Sequence, residues 1–211
     1  MKQYAFYFNS DDCIACRACV MACKDKNELK PGRKFRRVHT NSTGSWTVNS
    51  NGSLTPNNVC SYGISVSCNH CAEPACQKVC PAGAICKRAD GIVFIDSDLC
   101  IGCLSCADAC PYGAPSFNKE TMKMEKCDFC RELLAAGELP ACVGSCPTYS
   151  IEHGDLEYLK LIHHTAVSQV EPLPDPSQTT PSLLIKPHRK YVAAAPVTQY
   201  NMPEEIQAYE K

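Results

Sequence analysis

Apolar and polar residues alternate only in short stretches, and these set the expected elements. Tyr4 to Phe8, Tyr62 to Val66 and Ile92 to Ile95 are β-prone with partial alternation, the last entered through the turn Asp90-Gly91. Arg131 to Ala136 are good helix formers followed by Gly137, which stands where a C′ residue is expected. A second short helix is expected from Asp155, which can cap Leu156 onward. Residues 24–59 are rich in Asn, Ser, Thr and Gly, with Asn49-Ser50-Asn51-Gly52 as the clearest turn signal, and predict a surface loop or small hairpin. From Glu171 the chain carries Pro172, Pro174, Pro176, Pro181, Pro187, Pro196 and Pro203. That composition suits no regular element and predicts a tail that is either disordered or ordered by lying across a partner. No apolar run reaches the 18 residues that a bilayer span requires, and the first residues arrive at Asp11 and Asp12 without a long apolar region or a twin-arginine pair. The expectation is a chain that neither spans a membrane nor carries its own export signal.

Composition changes this picture in one respect. Of 211 residues 18 are cysteine, about 8.5%, so cysteine chemistry must replace part of an ordinary apolar core. Charge is nearly balanced, 21 basic against 22 acidic residues, and the basic clusters are short, which argues against a nucleic-acid surface. The one dense basic run, Arg33, Lys34, Arg36 and Arg37, is either a solvated loop or a docking patch for another subunit.

Spacing shows what the cysteines do. Sixteen fall into four groups: Cys13, Cys16, Cys19, Cys23; Cys68, Cys71, Cys76, Cys80; Cys100, Cys103, Cys106, Cys110; and Cys127, Cys130, Cys142, Cys146. The first and third read C-x2-C-x2-C-x3-C, the run that binds bacterial-type 4Fe-4S clusters, in which the fourth cysteine ligates the other cluster of a pair. Steps of three residues wind a loop round one cluster, and the x3 step begins a helix that carries the fourth thiolate to a neighbour. Pro81, Pro111 and Pro147 follow the fourth cysteine of three groups, whereas Lys24 follows Cys23. Structural zinc would need two C-x2-C pairs separated by a knuckle, and a disulfide framework would suit a short secreted domain. Neither pattern matches, and no C-x2-C is followed by His, as covalent haem attachment requires.

Groups two and three are close in sequence, with 19 residues between Cys80 and Cys100, and have the cadence of a two-cluster ferredoxin. Groups one and four then form a second unit, split by the first. The expected fold is α+β: two nested bacterial-type ferredoxin units of two 4Fe-4S clusters each, with loop insertions and an extended C-terminal tail. Its parts are a split unit over 1–23 and 120–170, a loop insertion over 24–59, an inserted unit over 60–119 and a Pro-rich tail over 171–211. Exchange of fourth cysteines gives four ligand sets: Cys13, Cys16, Cys19 with Cys146; Cys23 with Cys127, Cys130, Cys142; Cys68, Cys71, Cys76 with Cys110; and Cys80 with Cys100, Cys103, Cys106.

Other chemistry is thin. No Gly-rich phosphate loop or paired-carboxylate motif is present, and no catalytic residue is assigned. His70, inside a C-x2-C, is expected to shape its loop or hydrogen-bond near a cluster rather than ligate iron. His163-His164 is expected to end a helix as a favourable charge. Cys60 and Cys86 lack partners at cluster spacing and read as buried small hydrophobes, with redox sensing as the alternative. The formal charge of −1 ignores the clusters; at about −2 for each oxidised cubane with its four thiolates, the total becomes roughly −9.

The quartets, with the second spaced x2-x4-x3 and the fourth x2-x11-x3, accompany Ser67-Cys68-Asn69-His70-Cys71, Cys100-Ile101-Gly102-Cys103, Ala109-Cys110-Pro111-Tyr112-Gly113-Ala114-Pro115 and Lys126-Cys127-Asp128-Phe129-Cys130. Together they resemble the iron–sulfur subunit of dimethyl sulfoxide reductase and its relatives, over residues 1 to about 190. The resemblance implies a non-catalytic electron-transfer subunit with no small-molecule substrate of its own. It would carry electrons between a membrane-anchor subunit that oxidises quinol and a molybdopterin-containing catalytic subunit. It also implies four 4Fe-4S clusters, since Cys103 is kept where some relatives replace a ligand. The implied path runs from the Cys13 set to the Cys23 set, then the Cys80 set, with the Cys68 set nearest the membrane. Location would be peripheral, on the extracytoplasmic face through co-export or on the cytoplasmic face. The alternative is a soluble polyferredoxin-type subunit of a non-membrane dehydrogenase or dehydroxylase.

Overall fold

The computed structural model describes residues 2–190 and the strand at 198–200. In chain order the strands are β1 (Tyr4–Asn9), β2 (Arg37–Val48), β3 (Leu54–Val66), β4 (Ile85–Lys87), β5 (Val93–Ile95), β6 (Ser116–Asn118), β7 (Lys123–Glu125), β8 (Ile151–Asp155), β9 (Leu183–Lys186) and β10 (Thr198–Tyr200). The helices are α1 (Ala18–Lys26), α2 (Ala75–Lys78), α3 (Ser105–Ala109), α4 (Arg131–Ala135), α5 (Ala141–Gly144) and α6 (Leu156–Ile162).

β1 lies at the centre of a three-stranded sheet, antiparallel to β8 and parallel to β9, with Phe6 opposite His153 and Leu183. Alternation along β1 decides what each face meets. Phe6 and Phe8 face the main core with Ile64, Phe129, Ile151 and Ile185, and Phe6 stacks on Phe129 at 4.1 Å between centroids. Ala5 and Tyr7 face Leu159 of α6 and Leu184. Asp155 caps α6 as expected, accepting from the amides of Glu157 and Tyr158. Helix α4 ends at Gly137 with the expected reversal: Glu138 N–H donates to Leu133 at 2.8 Å and Gly137 N–H to Leu134 at 3.1 Å.

Two segments differ from the sequence expectation. The 24–59 segment begins as the end of α1 and continues into β2, whose hairpin with β3 runs on to Val66, so a boundary at 59/60 falls inside a strand. Its turn does lie at Asn49 to Ser53, where Asn49 N–H donates to the Ser53 carbonyl. The tail from Glu171 is more regular than its prolines suggested. Leu183, Leu184 and Ile185 are buried as a strand beside β1, because β1 offers a free edge and the alternation there is apolar on both faces. The disorder or partner-borne order expected for the tail falls, at 191–197 and 201–211, on residues outside those described.

Candidate metal centre

The cysteine loops share one backbone device. In each first C-x2-C the residue before the second cysteine is left-handed: Ala15 at φ 54°, His70 at 43°, Gly102 at 70° and Phe129 at 67°. The third residue after the fourth cysteine repeats it at Gly83 (62°), Gly113 (57°) and Tyr149 (53°). Four of the seven are not glycine, and a left-handed residue with a side chain costs about 1–2 kcal/mol, so such strain at four matching places marks a site. Amide N–H groups point at sulfur: in one such turn Ala15 N–H lies 3.4 Å from Cys13 Sγ, and from strand β7 Met124 N–H donates to Cys100 Sγ at 3.3 Å.

All 18 cysteines are free thiols. Cys68, Cys71, Cys76 and Cys110 line one small cavity. Cys80, Cys100, Cys103 and Cys106 line a second, and Cys13, Cys16, Cys19 and Cys146 a third, each of about 20 Å³ like the first. The remaining four, Cys23, Cys127, Cys130 and Cys142, are buried electrostatic neighbours where α1 packs on α5. Among the described residues no three His, Cys, Asp or Glu donors converge on a point that would hold a single metal ion. The sulfurs stand round a space instead, which suits a multi-atom group better than one zinc with Zn–S bonds of ~2.3 Å.

Electrostatics agree with that fit. Burial pushes the thiols of Cys23 and Cys76 up to about 12 and those of Cys71 and Cys106 up to about 11. Four such groups become thiolates together only where a bound cation or cluster compensates them. Two cations are buried among them. Arg36 is 2% exposed, bonded to the hydroxyls of Ser65 and Ser67 at 3.1 Å each and seated over the Phe6 ring. Burial opposes its charge, yet the surrounding Cys142, Cys19, Cys127 and Cys23 raise its pKa above the ordinary arginine value. Lys126 is 5% exposed, lines the Cys68 cavity and donates to the carbonyls of Val93 and Cys127. Arg36 Nε and His70 Nε2 are buried with no partner among the described residues, as expected of donors left for an acceptor supplied by a bound group.

His70 behaves as a loop-shaping residue. Its Nδ1 accepts from Val93 N–H at 3.0 Å, and burial lowers its pKa well below the usual histidine value, so the neutral ring carries its proton on Nε2. His163 does close α6, but it also stacks on Tyr7 at 3.5 Å and contacts Glu152 at 3.1 Å, so packing joins the expected helix-end charge. Cys60 and Cys86 are only half-buried, on β3 and β4, and Cys60 packs against the main core.

Three readings need correction. The basic run is not uniformly exposed: Arg36 is buried, Arg33 pairs with Glu125 and Arg37 donates to the Gly113 carbonyl at 2.7 Å. The order along the row also changes. Cys127 neighbours Cys68, while Cys76 packs with Cys80, Cys100 and Cys106. The quartets therefore run Cys13, Cys23, Cys68, Cys80, because the chain leaving β7 passes Lys126 along the wall of the Cys68 cavity and brings Cys127 beside Cys68. Finally, the tail contributes to a site: Thr179 is 2% exposed in that wall, hydrogen-bonds the Cys71 thiol and donates to the Tyr112 hydroxyl at 3.3 Å. The sequence places Arg36 in a basic run and Lys126 at the head of a cysteine motif, but no local pattern marks either as buried, and nothing in it marks Thr179.

The row ends on exposed cysteines, Cys16 at one end and Cys103 at the other. Apolar side chains stand exposed near both: Ile14, Met21 and Tyr149 at the first, Leu99, Ile101 and Leu104 at the second. No helix among the described residues is long and apolar enough to cross a membrane.

The sequence is similar to those of known proteins. A family described as a 4Fe-4S dicluster domain matches residues 59–156, and a 4Fe-4S binding domain matches residues 10–26. The chain is 45% identical over 205 residues to the "probable anaerobic dimethyl sulfoxide reductase chain YnfG" of Escherichia coli K12, covering 97% of this protein and 98% of that one. It is 43% identical over 198 residues to a component of the anaerobic dimethyl sulfoxide reductase of the same strain, covering 94% and 95%. A component of the tetrathionate reductase of Salmonella typhimurium LT2 is 40% identical over 144 residues, covering 68% of this protein and 54% of that one.

Proposed function

Because this chain belongs to the family of dimethyl sulfoxide reductase iron–sulfur subunits, we propose that it links a membrane-anchor subunit that oxidises quinol to a molybdopterin catalytic subunit through four 4Fe-4S clusters. The observation that carries the reading is the unbroken row of four cysteine quartets with an exposed cysteine at each end. The ligand sets are Cys13, Cys16, Cys19 and Cys146; Cys23, Cys127, Cys130 and Cys142; Cys68, Cys71, Cys76 and Cys110; Cys80, Cys100, Cys103 and Cys106. When bound, each cluster supplies a centre that takes up and releases one electron.

The protein supplies position and insulation. Left-handed loop residues turn amides toward sulfur, and the β1 sheet, Phe129 and Thr179 exclude water from the middle of the row. The interleaving of groups one and four, and of two and three, supports two nested ferredoxin units. The apolar side chains near Cys16 suit the catalytic subunit, and those near Cys103 suit the membrane anchor, which would hold this subunit peripherally; co-export with the catalytic subunit would place it on the extracytoplasmic face. The purified native complex should contain about 16 iron and about 16 acid-labile sulfide in this chain, with a large molybdenum subunit and a membrane-spanning subunit. Tightly bound zinc without sulfide would refute the assignment.

A further inference from the structure

A buried cation stands at each of the first two junctions in the row. Arg36 bridges the first: its own amide hydrogen-bonds the Cys23 thiol, and its Nη1 donates to Ser65 at 3.1 Å, whose hydroxyl lies 3.5 Å from Cys19 Sγ. Cys19 and Cys23 belong to different ligand sets. Lys126 bridges the second, joined to the Cys127 carbonyl on one side and lining the Cys68 cavity on the other.

We propose that Arg36 is a built-in counter-cation shared by the first two centres, clamped between Ser65, Ser67 and the Phe6 ring, and that it raises the reduction potentials of both together. The inference rests on the reading that the quartets hold clusters. A guanidinium stays charged at any physiological pH, and here it is buried among thiols without a carboxylate ion pair among the described residues. Its anionic partners would be the thiolate-held centres of the loaded quartets. Reduction adds a further negative charge beside it. In a low-dielectric interior a fixed cation stabilises that reduced form. A cation placed at the junction acts on both neighbours, so neither is lifted away from the other and the electron step between them stays nearly level.

The test uses the anaerobically purified native complex, with iron and sulfide measured first and the clusters then titrated by redox-poised EPR. Absence of sulfide would defeat the cluster reading itself. With four clusters present, Arg36→Gln should lower two midpoints, each by a tenfold or larger fall in the reduction equilibrium, 59 mV for a one-electron couple. The other two should move less, Arg36→Lys should stay within threefold of the parent, and Lys126→Met should shift a pair that excludes the Cys13 centre. Four clusters with every midpoint unchanged in Arg36→Gln, or all four lowered equally, would overturn the proposal. Where Arg36→Gln assembles no clusters, Arg36→Lys decides. Four clusters at parental midpoints support a role for the charge, and failure of the lysine variant as well overturns it.

Discussion

Gly102 offers a direct measure of how tightly the Cys80 quartet is built. It lies between Cys100 and Cys103 at φ +70°, and a Cβ there would stand 2.3 Å from the Met122 carbonyl oxygen. That carbonyl cannot retreat freely. The adjoining residues are tied to the same loop, since Lys123 Nζ donates to the Cys100 carbonyl at 2.5 Å and Met124 N–H to Cys100 Sγ at 3.3 Å. Gly83, beside Cys80, has a similar φ of +62° but open space where its Cβ would go. Alanine at either site pays about 1–2 kcal/mol for the left-handed backbone. Only Gly102→Ala adds overlap, which typically costs about 1–3 kcal/mol. A difference of about 2 kcal/mol is roughly 30-fold in the population of a locally opened state. Iron release to a chelator under anaerobic conditions should show about a quarter of the iron leaving roughly 30-fold faster from Gly102→Ala than from Gly83→Ala. Equal release from the two variants would refute the steric argument.

Two further outcomes follow from the tail and the thiols. Truncation after Val170 removes Leu183, Leu184 and Ile185, 4%, 6% and 0% exposed, worth about 1.5–3 kcal/mol each and together comparable with a whole domain's stability. It also takes Thr179 from the Cys68 wall. The truncated chain should be insoluble or short of iron; parental solubility and iron content would contradict the docked tail. In the metal-free chain, Cys23 and Cys76 titrate near 12 when folded and in the ordinary thiol range near 9 when unfolded. Their contribution to stability is therefore complete below pH 9 and lost as pH rises from 9 toward 12. Near-UV circular dichroism of the iron-free chain should report less folded protein at pH 10 than at pH 7, and equal signals would contradict the buried neutral thiols.

The four cysteine groups, the turn at Asn49-Ser50-Asn51-Gly52, the Asp155 cap and the Gly137 stop were all legible from the sequence. Each depends on the backbone over fewer than about a dozen residues, so spacing and residue type suffice. What lay beyond that range was decided only by tertiary structure. Phe6 pairs with Leu183 across almost the whole chain, which makes a strand of a tail whose prolines pointed to irregular backbone. The quartets follow the order Cys13, Cys23, Cys68, Cys80 because Cys127 packs against Cys68, a neighbour that no local pattern names. Arg36 shares its basic run with Arg33 and Arg37, yet it alone is taken into the interior. Ligand spacing is a local property of a loop winding round a group, whereas burial, adjacency and the placing of a counter-charge belong to surfaces assembled from distant segments.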